Sequence, residues 1–309
     1  MSGEHIHDNG VQAATSVALS VAMPFFRNDP CPLISMLTNQ VGLLPVELLL
    51  VDDGSGSPAL TRAVTDLLDE VPAPAKLITL THNQGRSAAR NRLIAASTAP
   101  FILFLDSDMA PDRPDFLAQW VKLAQADQTA IAYGGYSTLQ IPDCAALALA
   151  KHIAEGSDCD PAAARQHRGP LALATSNLLV RKSILADIPF DTDFIGWGWE
   201  DVDWALRAAA QGHFVSHVDI PATHLGLDEA AVLLDKFAKA AGNFRRMVDR
   251  HPEMAALRST QMARLMKHIP ARGLLKAFMR AIALAEWLPI GLRAFAARLW
   301  RALWAAEAL

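Results

Sequence analysis

Four short apolar runs dominate the first third of the chain, and most of them lead into a polar cluster. Residues 17–23 are apolar apart from Ser20 and close on Pro24; residues 46–51 (VELLLV), 76–81 (KLITLT) and 101–105 (FILFL) are of the same kind. Short apolar runs bounded by turn residues predict buried strands. Helical spacing over residues 61–69, 87–96 and 114–126 predicts helices between and after them. Strands that are apolar on both faces and alternate with helices predict a mostly parallel sheet covered on both sides. Asp52-Asp53-Gly54-Ser55-Gly56-Ser57, Asn83-Gln84-Gly85-Arg86 and Asp106-Ser107-Asp108 each follow the carboxyl end of a strand. Open α/β sheets bind their ligands at that edge, so the three clusters are predicted to converge on one crevice.

The second half is patterned less regularly. It predicts a strand over residues 130–139, a helix over 145–154, a loop over 159–169 and a strand over 175–181. Residues 194–203 read as an aromatic and acidic loop entering a helix that runs to Gln211, with Gly212 as its C-terminal stop. Residues 228–309 read as mostly helical. There is no internal repeat and no low-complexity tract.

Composition narrows the function classes. The 309 residues are 51% hydrophobic and 19% charged, which excludes a disordered chain and supplies ample core. A net charge of −4 argues against a general nucleic-acid-binding surface. The three cysteines, Cys31, Cys144 and Cys159, are too far apart for a zinc-type pair, and their odd number suggests no disulfide framework. A reducing cytosol is therefore expected. The first eleven residues carry no apolar signal-peptide core, and no run of apolar residues is long enough to predict a membrane span. Charge is nonetheless uneven. Residues 262–309 hold eight Lys or Arg against two acids, a local +6 that leaves −10 for the rest.

Three groups of residues carry candidate chemistry. Two carboxylates behind a buried strand, Asp106 and Asp108, are costly unless they meet a cation or polar ligand. An oxygen-rich site suits Mg2+ or Mn2+, although a lone Asp-x-Asp is also an ordinary turn. The segment Phe194-Ile195-Gly196-Trp197-Gly198-Trp199-Glu200-Asp201-Val202-Asp203 offers indoles as a stacking wall and acids as a general base. The plainer alternative makes the tryptophans core and the acids helix N-terminal charges. His224 is a lone histidine, a residue type more often packed or exposed than ligating.

Taken in order, these segments resemble the family 2 glycosyltransferases with a GT-A fold. The resemblance runs through Ser20-Val21-Ala22-Met23-Pro24, Val51-Asp52-Asp53-Gly54-Ser55, Asn83-Gln84-Gly85-Arg86-Ser87-Ala88-Ala89-Arg90-Asn91, Phe104-Leu105-Asp106-Ser107-Asp108 and Asn177-Leu178-Leu179-Val180-Arg181 to the Trp segment, covering residues 16–225. The Gly-Trp-Gly-x-Glu-Asp pattern is similar to the galactosyltransferase and chondroitin-polymerase branch. The resemblance implies an α/β GT-A catalytic domain over residues 16–227, preceded by a flexible stretch 1–15 and followed by a helical extension 228–309. It implies transfer of a sugar from a UDP-sugar to a glycan or lipid-linked acceptor hydroxyl, with inversion, dependent on Mn2+ or Mg2+, in cell-surface glycan or polysaccharide synthesis. A non-catalytic nucleotide-sugar-binding or assembly module is the alternative. An NAD-dependent oxidoreductase is disfavoured, because Asp53-Gly54-Ser55-Gly56-Ser57 is not the dinucleotide fingerprint.

By the same resemblance, Asp53 matches the uracil-recognising residue, and Pro24 and Phe25 the segment whose backbone lies against the nucleotide. Arg86 lies near base and phosphates, with Asp106 near the ribose and Ser107 beside it. Asp108 and His224 match the metal ligands. Asp201 matches the catalytic base and Glu200 a neighbour that binds acceptor hydroxyls, while Trp197, Gly198 and Trp199 border the acceptor. Two segments depart from the pattern. Pro24-Phe25-Phe26-Arg27-Asn28 holds one residue more than usual, and Ile188-Pro189-Phe190-Asp191 lacks the usual glycines.

The tail needs its own reading. Leu292, Phe295, Leu299 and Leu303 recur at helical spacing, with Trp300 and Trp304 along one border and Arg293, Arg298 and Arg301 opposite. Such a helix suits an anionic membrane interface. It equally suits packing on the catalytic domain with the arginine side solvated.

Overall fold

The computed structural model describes residues 3–13 and 15–309. An N-terminal strand β1 (Glu4–Asp8) precedes β2 (Leu19–Phe25), α1 (Cys31–Val41), β3 (Val46–Asp52), α2 (Pro58–Asp69), β4 (Ala75–Leu80), α3 (Arg86–Ala96) and β5 (Phe101–Leu105). Next come β6 (Met109–Pro111), α4 (Phe116–Ala126), β7 (Ile131–Tyr133), β8 (Tyr136–Ser137), α5 (Ala148–Glu155), α6 (Ala162–Arg168), β9 (Asn177–Arg181) and α7 (Lys182–Asp187). After α8 (Glu200–Ala210), β10 (Ser216–His217) and β11 (Ala222–His224), the chain is helical: α9 (Ala230–Lys239), α10 (Ala241–Arg250), α11 (Pro252–Ala256), α12 (Arg258–Met266), α13 (Arg272–Leu284) and α14 (Ile290–Ala308).

The main sheet has the order β1-β4-β3-β2-β5-β9-β7-β10. Strands β4, β3, β2 and β5 are parallel, as their uniformly apolar sequences predict, while β1 and β9 run antiparallel to their neighbours. Side chains alternate across the sheet. Leu19, Val21 and Met23 of β2, with Leu48 and Leu50 of β3, face α1, α2 and α4. Ala22, Leu49 and Val51 face α3, α7 and α8, where Trp204 is fully buried. The mixed α/β architecture and the helical C-terminal region are as expected.

Local expectations fail where a few residues redirect the chain. The 1–15 stretch, expected to be flexible, contains β1, which extends the sheet edge through register pairs from Glu4↔Leu80 to Asp8↔Lys76. Asn9 secures the end of that strand by donating to the carbonyls of Leu68, Val71 and Ala73. The single strand expected over 130–139 is two strands in different sheets. Gly134 and Gly135 turn the chain between them, and Nδ2 of Asn177 holds that turn through the carbonyls of Gly135 and Ile220, each at 2.8 Å. Within the 159–169 stretch expected to be a loop, residues 162–168 form α6. It is pinned by Arg165, which is buried and donates to the carbonyls of Tyr133, Gly134 and Val218. Helix α1 has no counterpart in the sequence reading.

The tail is corrected most. Helix α14 lies against α5, α9, α10, α12 and α13. Its buried side consists of alanines with Trp300, Leu303 and Arg293, whose Nε donates to the Ala283 carbonyl at 3.0 Å. Leu292 and Phe295, expected on a membrane-facing side opposite Arg293, are exposed while Arg293 is buried. Of the two readings, packing on neighbouring helices is the one the fold follows, with Arg298 and Arg301 exposed as that reading expected and Arg293 buried against it. No helix among the described residues is long and apolar enough to cross a membrane.

Candidate active site

The site is built at the carboxyl ends of β2, β3 and β5. Strand β3 delivers Asp53 to a point where its carboxylate organises the next loop. Its Oδ1 accepts from the Gln84 N–H at 2.7 Å, and its Oδ2 from the Gly85 N–H at 2.9 Å and from Nδ2 of Asn83 at 2.8 Å. Burial pushes the Asp53 carboxyl up, and those two backbone N–H groups oppose the shift. Gly54 has φ +74°, and a Cβ there would run into the backbone of His82 and Asn83, so the two loops touch only because this residue is glycine. Phe25 places its ring in the core and its carbonyl accepts from the Asp53 N–H at 2.9 Å, so this segment can offer a ligand only backbone and the half-buried Pro24.

Strand β5 ends in a tight turn at Asp106-Ser107-Asp108, closed by the Met109 N–H donating to the Asp106 carbonyl. The turn feeds β6, and β11 returns antiparallel to β6 with His224 opposite Met109. This register brings Nε2 of His224 to 3.5 Å from Oδ1 of Asp108, which is buried and has no hydrogen-bond partner. Gly226 lies against the same carboxylate, where a Cβ would collide with it. Burial pushes the Asp108 carboxyl up, partly offset by His224 and reinforced by Asp106. Ser107 is buried beneath the turn.

Arg90, one turn into α3 from Arg86, is 1% exposed and fills the space between the turn and α8. Its Nη2 lies 3.3 Å from Oδ1 of Asp106, and its Nη1 lies 3.1 Å from Oε1 of Glu200. Its guanidinium also sits over the Phe190 ring at 5.6 Å. Burial works to raise the Asp106 carboxyl, yet Arg90, Arg86 and His224 together hold it below the ordinary range. Arg86 is more exposed, with Nη1 at 4.0 Å from Glu200. Glu200 and Asp201 open α8, where the helix N-terminus favours negative charge. The Asp201 carboxyl is raised to about 7 by burial first and by the Glu200 charge next, with Arg90 opposing.

Trp199, the residue before Glu200, has φ +80°, a left-handed conformation that is an outlier for a bulky side chain. Helix α10 holds it there. Nδ2 of Asn243 donates to the carbonyls of Gly198 at 3.0 Å and Ile195 at 3.1 Å. The Trp199 ring packs on Phe244 at 5.2 Å, with Arg301 of α14 on it at 5.6 Å, while Trp197 packs on Phe237 at 6.3 Å. Both indoles remain half-buried. Four residues after Trp199, the fully buried Asp203 accepts from Arg207, Arg250 and His251. The C-terminal helices thus fix the loop that carries Glu200 and Asp201.

The structure therefore gathers Arg86, Asp106, Glu200 and Asp201 around Arg90, joins Asp108 to His224, and places Asp53 on the neighbouring loop. Side chains of Asp106, Asp108 and His224 keep 25%, 26% and 26% of their surface exposed, enough for a ligand to reach them. Arg90 and Asn243 were given no role by the sequence reading. A signal for Arg90 was present: it shares with Leu93 and Ile94 the apolar stripe of α3, where a charge needs a partner.

Residues 20–139 match the model of glycosyl transferase family 2. The matched segment contains Asp53, Arg86, Arg90, Asp106 and Asp108, and ends before Glu200, Asp201 and His224. The chain is 36% identical over 97 residues to a pre-mycofactocin glycosyltransferase of Mycobacterium tuberculosis, a match that covers 31% of this chain and spans only 18% of that relative. Among solved structures, a mannosyltransferase from Pyrobaculum calidifontis, PcManGT in complex with GDP-Man and Mn2+, superposes with a TM-score of 0.61 at 16% identity, over 96% of this chain and 89% of that one. S. aureus TarS 1–349 superposes with a TM-score of 0.54 at 14% identity, over 92% and 89%. The fold is GT-A.

Among the described residues no three His, Cys, Asp or Glu groups form a ready-made metal cage. Asp108 and His224 still fit a divalent cation. Mg2+ and Mn2+ are commonly held by one or two protein ligands and completed by water and phosphate oxygens, and the orphaned Oδ1 of Asp108 is the oxygen such an ion would satisfy.

Proposed function

We propose that this protein transfers a sugar from a nucleoside-diphosphate sugar, with UDP as the nucleotide, to an acceptor hydroxyl with inversion at the anomeric carbon. The observation that supports this most is Asp201. It is a carboxyl raised to about 7 beside the Arg90–Glu200–Asp106 cluster, at the edge of the sheet where an α/β fold holds its ligand. A base poised near neutral pH is what an alcohol nucleophile needs.

Asp53 faces the nucleobase with the 83–85 loop, and the backbone at Pro24 and Phe25 lies along it. Arg86 approaches the diphosphate and Asp106 the ribose, with the backbone of the buried Ser107 beside it. Asp108 and His224 would hold Mn2+ or Mg2+, which when bound neutralises charge on the diphosphate. Trp197, Gly198 and Trp199 border the acceptor, and Glu200, oriented by Arg90, binds it. Asp201 takes the acceptor proton as the acceptor oxygen bonds to the anomeric carbon. The bond from that carbon to the diphosphate oxygen breaks, and its electron pair leaves with the nucleoside diphosphate. One displacement of this kind inverts the centre. The acceptor belongs to glycan or polysaccharide synthesis in this reading.

The decisive experiment is a panel of UDP-sugars, with GDP-Man as a separate arm, assayed with Mn2+ for hydrolysis and transfer. Turnover of a UDP-sugar that is lost in Asp201→Asn supports the proposal. Turnover of GDP-Man alone overturns the choice of nucleotide, and binding without turnover of any donor overturns catalysis.

A further inference from the structure

Sixteen large apolar side chains are exposed among the described residues, and eight of them fall between Met262 and Phe295. The concentration is local, since that segment is about a ninth of the chain. Leu265 is 67% exposed, Leu274 76%, Phe278 61%, Trp287 84% and Phe295 61%. Leu274 and Phe278 are one helical turn apart on α13, so they share a face. Helices α12 and α13 both pack on α14, which is enclosed by α5, α9 and α10, so their outward sides form the outer skin of this helical layer.

Charge accompanies the apolar surface. Between Glu253 and Glu286 the sequence has no Asp or Glu and six Lys or Arg. Lys276 and Arg280 reach carboxylates elsewhere in the fold, Glu307 at 2.7 Å and Asp235 at 3.4 Å. Arg264 and Lys267 are exposed and pair with no carboxylate among the described residues, so their charge is available to a partner.

We infer that the outer face of α12, α13 and the turn at Trp287 is a docking surface for an anionic lipid bilayer. An exposed apolar patch of this density marks an interaction site. Leu, Phe and Trp beside basic residues match the interface between headgroups and acyl chains, where apolar area and attraction to anionic lipid act together. A second copy of the chain fits less well. A two-fold interface would bring the Arg264 and Lys267 patch against its own copy, with only Glu286 beside Trp287 from this face to offset it. The surface differs from that expected of the tail from sequence, because α12 and α13 supply most of it and α14 adds only Leu292 and Phe295 near its start.

The test is co-sedimentation of the full chain with vesicles of neutral lipid and with vesicles containing about one third anionic lipid. The expected result is binding to the anionic vesicles at low salt, weakened but not abolished at about 0.5 M salt, where charges are screened within a few ångströms. Leu274→Ser/Phe278→Ser/Trp287→Ser should lower partitioning about tenfold or more. Arg264→Gln/Lys267→Gln should erase the preference for anionic lipid. These side chains lie outside the proposed nucleotide site, so UDP binding should be unchanged in both variants and serves as the control for folding. A full chain that stays in the supernatant with both vesicles overturns the inference. So does a concentration-dependent dimer that Phe278→Ser dissociates. Failure of nucleotide binding in the unaltered chain would count against the transferase reading alone.

Discussion

Arg90 and Glu200, separated by 110 positions in the chain, meet in a nearly fully buried ion pair at 3.1 Å, with the other arm of the guanidinium at 3.3 Å from Asp106. One cation therefore couples the strand-end turn to the start of α8. Arg90→Ala would leave a buried carboxylate at Glu200 without its partner, which costs about 3–5 kcal/mol. The expected outcome is a denaturant midpoint lowered with unchanged slope. Arg90→Lys should recover only part of the loss, because an ammonium cannot span both carboxylates as a planar guanidinium does. A lysine variant as stable as the native chain would show that the geometry of the bridge is immaterial.

Asp201 should set the lower limb of the pH profile. Its carboxyl is raised from an ordinary 3.8 to about 7 in the folded chain, so as the proposed base it is protonated in mildly acidic solution. The logarithm of kcat/KM should rise with pH up to about 7 and then level. The same shift has a stability sign. A group whose folded pKa is raised favours the folded state most below about 3.8, and that advantage is lost as pH climbs to about 7. Asp201→Asn should therefore be more stable than the native chain at pH 8, by about 1–3 kcal/mol, while losing about 100-fold or more in turnover. A variant that is less stable at pH 8 would contradict the burial of this charge.

The pairing of Asp108 with His224 predicts two different metal responses. Asp108→Ala should abolish Mn2+-dependent turnover and weaken UDP binding in the presence of Mn2+. His224→Ala should shift the Mn2+ titration to higher concentration, about tenfold, and leave the folded state intact. Gly226→Ala should behave like a mild version of the first, since its new methyl displaces the Asp108 carboxylate. Unchanged Mn2+ titrations in all three would return these residues to a purely structural role.

Asn243 predicts that a residue of the helical extension governs the acceptor side. Removing its bonds to the carbonyls of the 195–198 segment in Asn243→Ala should cost about 1–2 kcal/mol of stability. It should also release the strained backbone at Trp199. Calorimetric UDP affinity is expected to hold while KM for the acceptor rises several-fold. An equal change in both would mean that the loop serves the whole site.

Much of the parallel sheet and its polar edge was legible in the sequence. Apolar runs such as FILFL admit only burial on both faces, and a carboxylate placed after such a run can only emerge at the strand's end. That reasoning located Asp53, Asp106 and Asp108. The resemblance of residues 194–203 brought Glu200 and Asp201 to the same site. Tertiary structure decided what lies between these segments. The register of β11 on β6 carries His224 to Asp108, and neither strand is long enough to declare its partner in sequence. The antiparallel entry of β9, the turn at Gly134–Gly135 and the clamp of Asn243 depend on hydrogen bonds to backbone carbonyls from distant residues, to which side-chain periodicity is blind. The tail makes the same point about burial. Its sequence allowed an apolar face turned outward and an arginine face turned to water, yet α14 is enclosed by five other helices. Alanines can be buried on any side, and Arg293 is satisfied by a carbonyl that only the folded hairpin supplies.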